Sequence, residues 1–174
     1  MDTLVIFETM EGQTEKIARF AVEQAEENGC SVKLVDASSA EPISFQGVKF
    51  VILAAPVHQR RHPDAFEAML NAYEKELEER RTLMLSVSLS AAFPEGLEDA
   101  KDYLVEMKMR TSFNPTAEAL IAGAVKIDQY DYFALQVIRH VVLRGRIFNP
   151  DQADHEFTDW KGLSKIISDF IATV

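Results

Sequence analysis

The sequence contains one cysteine, Cys30, so no disulfide can form within the chain. That scarcity points to a reducing, cytoplasmic setting. Long apolar runs are also missing. The first, Leu4 to Phe7, follows Met1-Asp2-Thr3 with no basic residue, and nothing resembles a secretory leader. No stretch approaches the ~20 apolar residues that cross a bilayer. Positive charge is in deficit, with 18 Lys and Arg against 28 Asp and Glu, a formal net charge of -10. A nucleic-acid partner is therefore not expected, because phosphate neutralisation needs a basic face. Adhesion to an anionic membrane would need a segregated basic patch. Internal repeats and low-complexity tracts are absent too, which excludes solenoid and linker-rich designs.

What is present is an ordinary globular composition, 47% hydrophobic and 26% charged over 174 residues, enough for one domain with a sizeable core. Short apolar runs alternate with amphipathic ones. Leu4 to Phe7, Phe50 to Ala54, Thr82 to Ser88 and Ala119 to Val125 read as buried strands. Ser31 to Val35, with Lys33 between Val32 and Leu34, reads as an edge strand. Helices are predicted over Thr14 to Asn28, Pro63 to Leu77, Glu95 to Met109, Tyr132 to Leu143 and Asp159 to Ile171. This β-α-β alternation implies a five-stranded parallel sheet with helices on both faces, in the order 2-1-3-4-5. Ligands then belong at the carboxyl ends of the strands.

The most informative segment is Phe7 to Glu15, where a strand gives way to a helix through Thr9-Met10-Glu11-Gly12-Gln13-Thr14. Such a turn aims backbone N–H groups at one spot and suits an anion such as phosphate. Thr9 and Thr14 supply hydroxyl donors, and Gly12 permits close approach or positive φ. The plainer reading is a helix capped by Thr14 after a turn at Gly12. With no Gly-Lys-Ser/Thr and one glycine where a dinucleotide fingerprint needs three, both of those nucleotide motifs are excluded. The carboxylate of Glu11 would repel a phosphate, an arrangement compatible with binding if that side chain points outward.

Thr9-x-x-Gly12-x-Thr14-Glu15 resembles the phosphate loop of flavodoxins. Thr9-x-x-Gly12-Gln13-Thr14 is more similar to that of the flavodoxin-domain, quinone-dependent (oxygen-independent) protoporphyrinogen oxidases. Ser86-Val87-Ser88-Leu89, Ile121-Ala122-Gly123-Ala124 and Phe157-Thr158-Asp159-Trp160 extend the resemblance over nearly the whole chain. It implies a flavodoxin-like three-layer α/β sandwich and FMN as cofactor. Thr9, Met10, Glu11, Gly12, Gln13 and Thr14 would bind the phosphate end. Pro56, Val57, His58, Ser88, Leu89, Ser90, Gly123 and Ala124 would approach the flavin ring. The implied reaction passes hydrogen from protoporphyrinogen IX to FMN and then to a quinone.

In the loop after the third strand, Arg60 and Arg61 would steady reduced flavin or pair with a substrate carboxylate. With Arg139, they are the expected substrate-binding residues for propionates. His58 and His62 either carry protons or belong to a solvated turn. They lack a third ligand, so no metal is expected. Phe93 either covers the ring or packs internally. Tyr130, Tyr132 and Phe133 either shield the cofactor or anchor the next helix. Residues 127–157 form an insertion relative to short flavodoxins, and the stretch from Lys126 to Arg146 is locally basic through those two residues with Arg139 and Arg144. That insertion suits peripheral contact with the inner face of the cell membrane, packing on the sheet, or a homodimer interface. Two other uses of the fold stay open: an acidic flavodoxin-type electron carrier docking on basic partners, and a domain that has lost its flavin.

Overall fold

A computed structural model describes residues 2–39, 41–126 and 154–173. Five strands form a parallel sheet: β1 (Thr3–Phe7), β2 (Val32–Asp36), β3 (Phe50–Pro56), β4 (Arg81–Ser88) and β5 (Ala117–Ala122). Their order is β2-β1-β3-β4-β5, as the sequence pattern predicts. Every residue of β3 is buried, and it lies between β1 and β4 at the centre of the sheet. β2, with Lys33 exposed, is an edge.

Because side chains alternate across a strand, β1 feeds both faces of the sheet. Val5 and Phe7 join Ile52, Leu85, Ile17 and Ala21 of α1 (Gln13–Glu27), and Ile167 and Phe170 of the last helix. Leu4 and Ile6 join Val51 and Leu53 on the opposite face. There they meet Phe66 and Leu70 of α2 (Asp64–Ala72), Leu77 of α3 (Glu74–Glu78), and Leu104 and Met107 of α4 (Leu97–Thr111). Each fully buried Leu, Ile or Phe contributes roughly 1.5–3 kcal/mol against exposure. The result is a three-layer α/β sandwich. The chain turns outward to β2 from β1, then crosses back to β3. That reversal opens a crevice at the carboxyl ends of β1 and β3.

Three boundaries differ from the sequence reading. The helix expected over Pro63 to Leu77 is two helices, because Tyr73 leaves helical geometry at φ -114 and ψ 24. Its hydroxyl accepts the Ile43 N–H at 3.1 Å, while Pro63 stands just outside the helix as its N-cap. The helix expected from Glu95 starts at Leu97, behind a 3₁₀ turn over Pro94–Gly96.

The strand expected over Ala119 to Val125 breaks at Gly123. Beyond the break, β6 (Ala124–Lys126) pairs antiparallel with β7 (Asp154–Glu156), making a small ribbon separate from the main sheet. α5 (Trp160–Ala172) follows, its first turn capped by Asp159, whose carboxylate accepts the Gly162 N–H at 2.9 Å. The helix expected over Tyr132 to Leu143, the aromatic residues Tyr130, Tyr132 and Phe133, and Arg139 lie outside the described residues. Among the described residues, no helix is long and apolar enough to cross a membrane.

Candidate functional site

The carboxyl ends of β1, β3, β4 and β5 border a cleft of about 580 Å³. Its floor is the start of α1. Gly12 takes φ 85, a left-handed conformation that glycine adopts without a Cβ clash, and turns the chain into the helix. The first helical bond runs from Lys16 N–H to the Gly12 carbonyl. The N–H groups of Gln13, Thr14 and Glu15 thus have no intrahelical acceptor, and no side chain caps them. The plainer reading, a cap by Thr14, does not hold. Thr14 is instead buried inside the first turn and lines the cleft. Thr9 Oγ1 accepts the Gly12 N–H at 2.9 Å, which fixes the loop and leaves the hydroxyl hydrogen available to a ligand. An uncapped helix N-terminus beside two hydroxyls favours a negative group.

The walls are of another kind. Pro56, Val57, Val87, Leu89 and Ala124 give apolar surface, while Gly123 and Ser88 meet at the far side. Gly123 donates its N–H to the Ser88 carbonyl at 3.1 Å and accepts from Phe157 at 3.0 Å. A Cβ on Gly123 would come to 3.4 Å from Val87, so the position is close-packed. The Ser88 hydroxyl is committed to the Ala91 N–H at 3.1 Å. Together these features suit a ligand with one anionic end and a flat apolar body.

The structure brings Thr9, Glu11, Gln13, Thr14, Pro56, Val57, His58, Ser88, Leu89, Gly123 and Ala124 together in this cleft. Gly12 shapes the loop from behind. Met10 is turned to solvent, 59% exposed, and Ser90 begins a 3₁₀ turn; neither lines the cleft. Gln59 and Val87 line it although the sequence did not single them out for the site. Val87 read as a buried strand residue within the Ser86-Val87-Ser88-Leu89 resemblance, and its place at the carboxyl end of β4 is the signal that brings it to the cleft.

Glu11 does not point away. It lines the cleft with its carboxylate 3.8 Å from His58 Nε2. His58 opens a two-residue hairpin: its backbone exchanges hydrogen bonds with Arg61, both at 2.9 Å. Gln59 and Arg60 take φ 47 and 68 at the two central positions. Such a turn prefers Asn-Gly. With two Cβ-bearing residues it costs on the order of 1–2 kcal/mol at each.

The turn directs both arginines away from the cleft lining. Arg60 sits 5.0 Å over the Tyr103 ring and 3.6 Å from Asp99, whereas Arg61 pairs with Asp64 at 3.0 Å and Glu67 at 3.2 Å. Glu67 is buried, and Arg110 of α4 grips it at 2.7 Å. Burial works to raise the Glu67 carboxyl, but hydrogen bonds from Arg110 and Arg61 outweigh it and hold the group below the usual range. His62 is buried behind the loop, with Nε2 3.0 Å from Ser86 Oγ. Burial depresses its pKa to about 4, so it is neutral at neutral pH and does not face the cleft. Phe93 is buried against Phe157, ring centres 5.3 Å apart, which favours the packing reading for that residue.

A doubly wound sheet with an uncapped helix start after β1 and an apolar cleft between β3, β4 and β5 defines a flavodoxin-like protein. The flavodoxin-domain family model matches residues 4–146, and the chain belongs to that family. Protoporphyrinogen IX dehydrogenase [quinone] of Escherichia coli K12 is 23% identical over 162 residues, 92% of this chain and 90% of that protein. Among solved structures, oxidised flavodoxin 1 from Bacillus cereus superposes with a TM-score of 0.60 at 15% identity, covering 100% of this chain and 99% of its own. The Fusobacterium nucleatum flavodoxin bound to flavin mononucleotide superposes with a TM-score of 0.51 at 15% identity, covering 98% and 95%.

Proposed function

We propose that this chain is an FMN-dependent oxidoreductase that takes hydrogen from protoporphyrinogen IX, giving protoporphyrin IX, and delivers it to a quinone. The observation that carries the cofactor reading is the uncapped start of α1 at left-handed Gly12, opening onto an apolar cleft. The phosphate would take the N–H groups of Gln13, Thr14 and Glu15 and the hydroxyls of Thr9 and Thr14. The ring would lie along Pro56, Val57 and Leu89, with the backbone of Gly123 and Ala124 at its far edge. Bound there, FMN supplies the redox chemistry. The chain's own work is to orient it, exclude water from the apolar wall, and set the local charge through His58 and Glu11.

The full-length match to the Escherichia coli dehydrogenase supports a tetrapyrrole donor and a quinone acceptor for this site. Arg60 and Arg61 would meet propionates only by leaving their pairs with Asp99, Asp64 and Glu67. Peripheral contact with the inner face of the cell membrane would bring a lipid-soluble quinone within reach.

The test is anaerobic. The FMN-loaded protein is mixed with protoporphyrinogen IX and a menaquinone analogue, and porphyrin fluorescence is followed. Protoporphyrin formation that depends on both protein and quinone is the expected outcome. A second reading, a flavodoxin-type electron carrier, draws support from the acidic net charge of -10 and the solved flavodoxin covering the whole chain. Reduction solely by a flavodoxin reductase, with no porphyrin formed, would favour the carrier.

A further inference from the structure

Two segments far apart in sequence meet beneath the cleft. Gln13 Nε2, in the first turn of α1, donates to Glu156 Oε2 at 3.1 Å and to Thr158 Oγ1 at 2.9 Å. Thr158 passes its own hydrogen to the Ala122 carbonyl at 2.7 Å, just before the break at Gly123. Glu156 also receives Lys16 Nζ, one turn along α1, and Trp160 Nε1 at 2.7 Å. Burial works to raise the Glu156 carboxyl, but the donors Lys16, Trp160 and Gln13 outweigh it and hold the group below its ordinary range. It is an anion at neutral pH, tied to α1 by two side chains.

The geometry matters because Gln13 and the ribbon both belong to the cleft. Gln13 lines its floor, while Gly123 and Ala124, leading into β6, line its wall. An isolated two-stranded ribbon is marginally stable in water, so β6–β7 depends on what it is fastened to. Glu156 lies on β7 opposite Ala124, and the ribbon's far ends, Lys126 and Asp154, are where residues 127–153 begin and end. The floor that receives the phosphate and the ribbon that frames the wall thus share one hydrogen-bonded hub.

We propose that Gln13 and Glu156 are positioning residues that couple occupation of the α1 N-terminus to fixation of the β6–β7 ribbon. The proposal rests on the FMN reading above. A phosphate held by the N–H groups of Gln13 and Thr14 restrains the first turn of α1. A restrained Gln13 side chain holds Glu156 and Thr158 in place. By linkage the reverse also holds: a fixed ribbon pre-organises the phosphate turn.

The experiment is amide hydrogen exchange on the full chain with and without FMN, for the natural protein, Glu156→Ala and Glu156→Gln, alongside FMN titration. In the natural protein FMN should slow exchange both at the start of α1 and in β6–β7. Glu156→Ala should keep the protection at α1, lose it in the ribbon, and weaken FMN binding roughly fivefold. Glu156→Gln, whose single amide oxygen can still accept from Gln13 but no longer from Trp160 as well, should restore part of both. Equal ribbon protection in Glu156→Ala would mean the ligand acts on the wall directly and would overturn the coupling. So would protection confined to α1 in the natural protein. No saturable FMN binding at all would overturn the cofactor reading as well, so the two failures are told apart.

Discussion

Glu11 and His58 face each other across the mouth of the cleft, carboxylate to imidazole, 3.8 Å apart. One comes from the loop after β1 and the other from the loop after β3, so the contact spans the crevice where the chain reverses direction. It also puts a carboxylate beside the turn proposed to hold a phosphate. Replacing Glu11 with Gln removes that repulsion at a partly exposed position. FMN affinity should rise by about threefold to tenfold, in line with ~1 kcal/mol for such charge pairs. Flavin fluorescence quenching measures it, and a weaker complex would show that Glu11 assists binding.

Gly12 makes a sharper prediction on the same turn. Gly12→Ala forces a Cβ into φ 85 and should cost on the order of 1 kcal/mol of stability. FMN affinity should fall with it, because the N–H groups of Gln13 and Thr14 are aimed by that residue. Urea denaturation and flavin titration on the same preparation separate the two effects.

How much of this was legible beforehand depends on range. The sheet order and both helical layers followed from local patterns, such as the alternation of Leu4 and Ile6 against Val5 and Phe7. The cleft's location followed from that order, and its residues from the family resemblance. The ribbon could not be read, because pairing Ala124–Lys126 with Asp154–Glu156 is a contact across residues 127–153 with no local periodicity to announce it. Nor could the His58 hairpin, since Gln59-Arg60 lacks the Asn-Gly pattern that marks such turns. That turn is what carries Arg60 and Arg61 onto Asp99, Asp64 and Glu67. The sequence had placed both arginines by resemblance, with no view of their partners.

The buried histidine gives a pH dependence whose sign can be worked out. In the unfolded chain His62 protonates near 6.5; in the folded protein it does so near 4. Between those values the unfolded state holds the extra proton, so stability falls as pH drops from about 6.5 to about 4. The full loss for this group is on the order of 3 kcal/mol. Urea midpoints measured from pH 7 to pH 4 should show the decline, and His62→Gln should flatten it.

Glu67 should be far more costly to remove than any surface acid. It is buried, and Arg110 and Arg61 both donate to it. Glu67→Ala leaves two partly covered guanidinium groups without their buried partner, with only the more exposed Asp64 and Glu106 beside them, and should lose about 3 kcal/mol. Arg61 would then be held to α2 only by its exposed pair with Asp64, so the loop from His58 to His62 should exchange its amides faster. A loss below about 1 kcal/mol in chemical denaturation would show that the cluster is no more than a solvated surface pair.

The N–H groups proposed to hold the phosphate at the start of α1 are tested most directly by FMN against riboflavin, titrated into the flavin-free protein under identical conditions. The two ligands share the ring and differ by the phosphate. Saturable one-to-one binding of FMN, with riboflavin weaker by about a hundredfold or more, is the predicted result, as expected when several charge-assisted hydrogen bonds are lost together. Equal affinity for the two flavins, or no saturable binding of FMN, would contradict it.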